Sequence, residues 1–445
     1  MGWASEEFET IDLGDKHLDK RAVLLAEQFS ANATKSIPDA CGGWAETRAA
    51  YRFVDNPSVD FWKILGPHIE ATEQRMRACP VVLCLQDTTT LDFNGKDIDG
   101  LGPLQYEPQR GLLLHPTYVV TPQREPLGLT DSWHWAREFR QSDGARPSEI
   151  CESQRWIDGY ERIAESAASM PDTRCIYVGD RESDMMPLMR RAAELGEPVD
   201  WLVRAKHDRA LPDGQKLFSS VSAEKPIGQA RFHFRPRRGV KARDVIQQLY
   251  VKRVVLAKET EKLAPLEATC LICREINTTE GVKPIEWRLL TNRSLSSAAE
   301  AAELVDWYRA RWEIEMYFDV LKNGCKVESL QLRTLPRLEV ALALFMIVAW
   351  RINRLMRLGR NLPDVDASLL FEQDEIVAAH ILNKKSQPEK PPTLNQVVRL
   401  VAMAGGFLGR KSDGEPGAKT IWQGMERVLS FTEGMRYIRA QPETG

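Results

Sequence analysis

Between residues 81 and 206 the chain is a succession of short apolar runs, each closed by a polar turn, with two amphipathic stretches among them. Runs of this length, rich in β-branched and aromatic residues, predict strands. VVLCLQD, GLLLHPTYVVTP and PLGLTDSWHWA come first, in hairpin order, followed by CIYVGD and VDWLVRAK. The amphipathic stretches predict helices. One spans about 147–168, where Ile150, Trp156, Ile157, Tyr160 and Ile163 fall near helical spacing. The other is SDMMPLMRRAAELG, capped by Ser183 and stopped by Gly196. Three strands, a helix, a strand, a helix and a strand specify a mixed α/β sheet with helices packed on its faces.

That order is compatible with a ribonuclease-H-like catalytic core. At 445 residues the chain exceeds what one ordinary core supports, so further modules are expected. Residues 1–68 read as helical, with LDKRAVLLAEQFSAN and GWAETRAAYRFVDN separated by KSIPDACGG and ended by Asn56-Pro57. The catalytic domain is expected over 69–372, interrupted at about 207–300 by a mostly β insertion carrying QLYVKRVVLAK, EATCLICREI and IEWRLLTN. A helix from about 297 to 323 returns the chain to the core. Residues 373–445 read as a C-terminal helical module, with KKSQPEKPPT as a linker and a last helix over about 420–440.

Composition narrows the function classes. With 43% hydrophobic and 28% charged residues the chain has the balance of a folded soluble protein, not a disordered one. The longest apolar run, ending at Trp350, falls short of the roughly 18 to 20 residues a membrane span requires. MGWASEEFET has neither the basic start nor the apolar stretch of a signal peptide, so a cytoplasmic protein is expected. Eight scattered cysteines read as reduced thiols. Cys270 and Cys273 form a CxxC pair without a second pair or histidine to complete a zinc site, and read as buried strand residues.

The net charge of −3 excludes a uniformly basic coat but not local phosphate binding. RAKHDR brings together Arg204, Lys206, His207 and Arg209, and RFHFRPRRGVKAR interleaves Arg237 and Arg238 with aromatic rings. Such segments suit a nucleic-acid backbone with bases stacked on the rings, or equally a solvated hairpin face. In the N-terminal module, Lys20, Arg21, Arg48 and Arg52 supply positive charge that can face DNA.

Two acids stand where strands end. Asp87 closes VVLCLQD and Asp180 closes CIYVGD, the edge of an α/β sheet at which ligand sites are built. Together they can share a divalent cation; singly, each also suits a turn or a helix N-terminus. In YRARWEIEMYFDVLK, Tyr308, Arg311, Glu315 and Lys322 fall within about 60° of one another on a helical wheel. One carboxylate, two cations and a phenol on one stripe can hold a metal and grip phosphate oxygens, or form a salt-bridged solvated face through Arg311 and Glu315.

This spaced set, with LQDTT around Asp87, GDRESD around Asp180, VRAKH beyond it and EWRLLTN before the helix, resembles the cut-and-paste bacterial DDE transposases of the IS-four family. AYRFVDNP is similar to the family's end-binding helix, and AGGFLGRK with the final helix extends the likeness over about 13–440. The resemblance implies that Asp87, Asp180 and Glu315 are the catalytic, metal-holding triad. Tyr308, Arg311 and Lys322 would hold phosphates, and Trp287 would stack on a flipped base, though its alternation with Ile285 and Leu289 also suits a core position. It implies two Mg²⁺ ions, with Mn²⁺ able to substitute, and no nucleotide cofactor. Implied partners are transposon ends, target DNA and a second copy of the chain in a synaptic complex. Hairpinned excision, strand transfer and a bacterial, nucleoid-associated location belong to the same expectation, with no membrane partner. A structure-specific nuclease and a non-catalytic DNA-binding derivative are the alternatives.

Overall fold

VVLCLQ and RCIYVG are apolar at odd and even positions alike, which commits a strand to burial on both faces. The computed structural model, which describes residues 2–106, 108–139, 152–234, 242–256, 265–278, 281–410 and 413–440, places both at the centre of an 11-stranded sheet. Its strands are β1 (Val81–Gln86), β2 (Thr89–Asp92), β3 (Gly102–Pro103), β4 (Arg110–Val120), β5 (Pro126–Trp135), β6 (Arg174–Gly179), β7 (Asp200–Arg204), β8 (Gly228–Phe234), β9 (Arg243–Val255), β10 (Glu267–Glu275) and β11 (Glu286–Thr291).

β4 pairs antiparallel with β5 on one edge and with β1 and β2 on the other, so β1 and β2 form one line broken at Asp87-Thr88. β6 and β7 then add in parallel. The resulting order, β5-β4-β1-β6-β7, is the mixed sheet of a ribonuclease-H-like core. The β-rich segment expected as an insertion is not a separate sheet: β11 pairs antiparallel with β7, and β10, β9 and β8 follow in turn. β7 would otherwise be an edge, and β11 covers its unpaired backbone groups.

The helices are α1 (Trp3–Glu7), α2 (Lys16–Ala31), α3 (Ile37–Ala40), α4 (Trp44–Val54), α5 (Phe61–Arg77), α6 (Gln154–Ala168), α7 (Met186–Glu194), α8 (Leu217–Ser222), α9 (Ala298–Ala310), α10 (Trp312–Asp319), α11 (Leu335–Asn361), α12 (Gln373–Leu382), α13 (Leu394–Ala404) and α14 (Ala418–Ala440). Val82, Cys84, Cys175, Tyr177, Trp201 and Val203 pack on one face with Trp156 and Tyr160 of α6, Leu188 of α7 and Val221 of α8. Leu83, Leu85, Ile176, Val178 and Leu202 pack on the other with α9, α10 and α11. Cys270 and Cys273 fall in these two opposite layers, buried in β10, so they cannot share one ion.

The apolar run before Trp350 becomes the middle of α11, whose residues 340–353 are all buried and which packs on α2, α5, β5, α13 and α14. Among the described residues no helix is long and apolar enough to cross a membrane. Of the helix expected over about 147–168, the described part begins at Gln154. α7 starts at Met186 rather than at Ser183, whose hydroxyl instead donates to Asp180 O at 2.7 Å. Gly196 ends this segment as expected, with φ +79.

The N-terminal helices are tied to the core by a buried polar knot. His68 Nε2 accepts from Leu129 N at 3.1 Å, so its proton sits on Nδ1, which donates to Glu7 at 2.5 Å. Arg75 adds a bidentate pair to the same carboxylate at 2.9 and 3.0 Å. Burial raises the Glu7 carboxyl, but His68 and Arg75 outweigh it and hold it at about 2, below its usual 4.5. A carboxylate depressed on folding contributes stability that is complete above the unfolded value and lost as pH falls toward the folded one. For Glu7 the window is about pH 4.5 to 2, and the contribution is on the order of 3 kcal/mol. The denaturation difference between wild type and Glu7→Gln should therefore be large at neutral pH and shrink near pH 3. A difference independent of pH would contradict this.

Candidate active site

The last pairs of the parallel ladders are Leu85↔Val178 and Gly179↔Val203. Continued in register, they set Asp87 beside Asp180 and Asp180 beside Arg204. Residues two apart in a strand share a face. Leu85, Val178 and Leu202 face α9–α11, so the two acids and Arg204 project toward the same helices. Gly179 precedes Asp180 because a Cβ there would lie 2.2 Å from Ser183 Oγ.

α10 brings the third acid. Tyr317 stacks on Tyr118 of β4 with 4.7 Å between ring centroids, and its hydroxyl donates to Met346 O of α11 at 3.3 Å. This sandwich fixes Glu315 above the strand ends. The helix expected over about 297–323 is not uniform. Ser297 caps it, but Arg311 N bonds to Tyr308 O and Ile314 N to Arg311 O, both at 3.2 Å, a tightened turn that separates α9 from α10. A π-turn, Val320–Gly324, follows and carries Lys322. The constant pitch behind the sequence-based stripe is thus interrupted at both cations, as happens often at functional sites.

Arg311 bridges two of the acids. Its Nη1 donates to Asp87 Oδ2 at 2.6 Å and its Nη2 to Glu315 Oε1 at 2.5 Å, with only 16% of its side chain exposed. Burial pushes the Asp87 carboxyl up; Arg311 draws it back and Asp180 raises it again, leaving it at about 6. Burial opposes the Arg311 charge, yet Asp87, Tyr308 and Glu315 hold the guanidinium protonated beyond its usual range. Asp180 accepts Glu182 N at 2.7 Å and has no cation paired with it among the described residues.

Three carboxylates supply the hard oxygens a divalent cation prefers, and Asp180 carries no paired cation among the described residues. As placed, no group of three such ligands among the described residues stands ready to hold an ion. The Arg311 guanidinium lies between Asp87 and Glu315, hydrogen-bonded to both. By its chemistry, three carboxylates, the donor set suits a divalent metal.

The other expected contacts divide. Tyr308 is hydrogen-bonded to Arg204, and burial raises its phenol. Trp287 stacks on Phe232 at 5.5 Å and meets Tyr308 edge-on at 5.9 Å; it is half-buried, lining a slot of about 550 Å³ with Arg204, Tyr308 and Arg311. Lys322 Nζ donates to Thr90 O at 2.6 Å, beside the break that holds Asp87. Lys206 and His207 are exposed.

Arg209, expected at DNA, is paired with the buried Asp184 at 2.7 Å. Arg237 and Arg238 lie outside the described residues. Arg21 is paired with Glu46, whereas Lys20, Arg48 and Arg52 are exposed. Arg48 and Arg52 line a hollow of about 440 Å³ with Arg333 and Arg337, two cations that sequence reasoning missed.

Sequence reasoning also missed the supports of the site. Asp184 accepts Lys206 N and His207 N at 2.6 and 2.9 Å, folding the segment after β7 onto the loop after β6. Arg155 of α6 donates to Thr88 Oγ1 at 3.0 Å and to Glu182 at 2.7 Å, bracing the loops that follow both strand acids. Thr88 also meets His115 at 2.9 Å. The second aspartate of GDRESD was the available signal for Asp184.

Three family models match the chain: Transposase DNA-binding over residues 1–59, Transposase DDE domain over 156–351, and Transposase Tn5 dimerisation domain over 347–445. Asp180 and Glu315 fall inside the second match; Asp87 lies outside all three and is joined to them by the sheet register. A solved structure titled as a piggyBac transposase synaptic complex with hairpin DNA aligns with TM-score 0.39 and 10% identity, covering 100% of this chain and 78% of that one.

Proposed function

Because the chain belongs to the Tn5-like DDE transposases, DNA-binding and dimerising enzymes that cleave and join DNA with a divalent metal, we propose that it performs cut-and-paste transposition. It binds the terminal inverted repeats of its element, nicks them, releases the element through hairpinned ends and joins the 3′ ends to target DNA. The single observation that carries the site is the convergence of Asp87, Asp180 and Glu315 at the C-terminal edge of β1 and β6, with Arg311 between two of them.

In this reading Asp87, Asp180 and Glu315 hold two Mg²⁺ ions, replaceable by Mn²⁺. Such ions lower the pKa of an attacking water or 3′-hydroxyl and stabilise charge on the phosphoryl oxygens. Arg311 leaves the carboxylates and, with Tyr308 and Lys322, holds phosphate oxygens of the transposon end. A guanidinium suits both partners, since carboxylate and phosphate present the same paired acceptors. The half-buried Trp287, with one face against Phe232, offers a wall for a base displaced near the cut. Two chains each hold an end in the synaptic complex, and no nucleotide cofactor takes part.

Arg311→Gln should raise Mn²⁺ affinity in the DNA-free protein about tenfold, because charge-assisted bonds of roughly 1.5 to 3 kcal/mol no longer oppose entry. Titration followed by the signal of free Mn²⁺ measures this. Unchanged or weaker binding would contradict the place given to Arg311. The cut-and-paste route is tested on a denaturing gel with end-labelled ends: hairpins that open with time support it, and nicked ends that join without any hairpin would replace it with a nick-and-join pathway.

A further inference from the structure

A second basic cleft opens beside the acids. Its volume is about 600 Å³, and its cations are Arg181, Arg204, Lys206, Lys283 and Arg288. Glu286 is the one acid in its lining, and it is already paired with Arg274 at 2.8 Å and Arg288 at 2.7 Å. Arg181, Lys206 and Lys283 are exposed and have no ion pair among the described residues. In a chain with 60 basic and 63 acidic residues, three unpaired cations facing one hollow are a local excess rather than a reflection of composition. Like charges gathered without counter-ions favour a polyanion.

The position of the cleft says which polyanion. Arg204 and Trp287 line both this cleft and the slot that contains Tyr308 and Arg311, so the two hollows share a wall. The slot reaches the acids through Arg311, which touches Asp87 and Glu315. The cleft reaches them through Arg181, the neighbour of Asp180 in sequence. Asp184, by holding the backbone at Lys206 and His207, keeps the cleft's floor against the Asp180 loop. Joining an element to new DNA requires two DNA segments at one set of acids, and the site has two cationic approaches to that set.

We infer that the cleft between Arg181 and Lys283 seats the backbone of the target DNA, while the slot bearing Tyr308 and Arg311 seats the transposon end. This rests on the transposition reading above. No base-specific contact is required of it: flexible, exposed lysine and arginine side chains meet phosphates of any sequence.

The test uses the full chain, a pre-cut end bearing a free 3′-hydroxyl, an uncut end and a supercoiled plasmid as target. Arg181→Glu with Lys283→Glu changes two exposed side chains, so folding is checked by an unchanged melting temperature. Joining of the pre-cut end to the plasmid should fall at least tenfold. Nicking of the uncut end and end binding by mobility shift should stay within twofold. With the milder Arg181→Ser, Lys283→Ser pair, joining should also lose salt sensitivity, by about two in the logarithmic slope for two lost phosphate contacts. A parallel loss of nicking or end binding would overturn the assignment by giving the cleft to the transposon end. Unaltered joining would overturn it by leaving the cleft without DNA. If wild type neither nicks nor joins, the catalytic reading itself fails and this one with it.

Discussion

Asp180→Asn is expected to lower end cleavage by on the order of 10³-fold or more while leaving end binding unchanged. The substitution keeps the shape of the side chain and an oxygen to accept Glu182 N, so the loop after β6 stays in place. What it removes is one negative oxygen donor from the pair set side by side by the β1–β6 register. Losing a charged ligand forfeits several kcal/mol of transition-state charge stabilisation, which sets the scale of the effect. In the proposed reading, end binding would draw on phosphate contacts elsewhere, with the exposed Arg48 and Arg52 of α4 as candidates, and would not require the acid. Cleavage assays with a mobility-shift control measure both quantities. Turnover within tenfold of wild type would remove Asp180 from the catalytic set.

Glu313→Ala should cost about 3 to 5 kcal/mol of stability, the usual penalty for breaking a buried ion pair from one side. Glu313 and Arg357 are both buried, joined by Arg357 Nε to Glu313 Oε2 at 2.7 Å and by a second bond through Nη2, and they lock α10 to α11. With the carboxylate gone, the guanidinium would remain buried in the same place with, among the described residues, Met316 sulfur at 3.4 Å as its remaining hydrogen-bond partner. Replacing both partners with apolar residues, Glu313→Leu with Arg357→Met, should recover most of the loss, because no unpaired charge is left. Denaturant unfolding compares the three proteins. A loss below about 1 kcal/mol for the single variant would show that α10 does not depend on this pair. Because Glu315 rides on the same helix, the single variant should also cleave poorly at temperatures where it remains folded.

Much of the core was legible because its strands report burial directly. VVLCLQ and RCIYVG are apolar at both parities, and each is followed by an acid at the residue where pairing stops. The helix bearing Glu315 was legible from its Ser297 cap and its length. Its internal breaks, the tightening at Arg311 and the π-turn at Lys322, were not, since helical periodicity carries no mark of them. Nor could periodicity reveal that β11 completes the central sheet beside β7: the two strands lie more than 80 residues apart, and pairing between them is a tertiary choice. Charge alone did not reveal that Arg209 is paired with Asp184, four residues after the second acid. The bridging position of Arg311 was foreseen only for Glu315, where the i,i+4 spacing shows it. Its bond to Asp87 crosses 224 residues of sequence.

The most direct test of the account is cleavage of the element's own ends, cloned from the DNA that flanks its gene, with and without Mg²⁺, by wild type and Glu315→Ala. Metal-dependent nicks and hairpins at the end boundary, absent with the variant although it still binds the ends, are the predicted result. Specific end binding by both proteins with no metal-dependent cleavage by either would contradict it, and would leave a DNA-binding protein whose three acids never assemble.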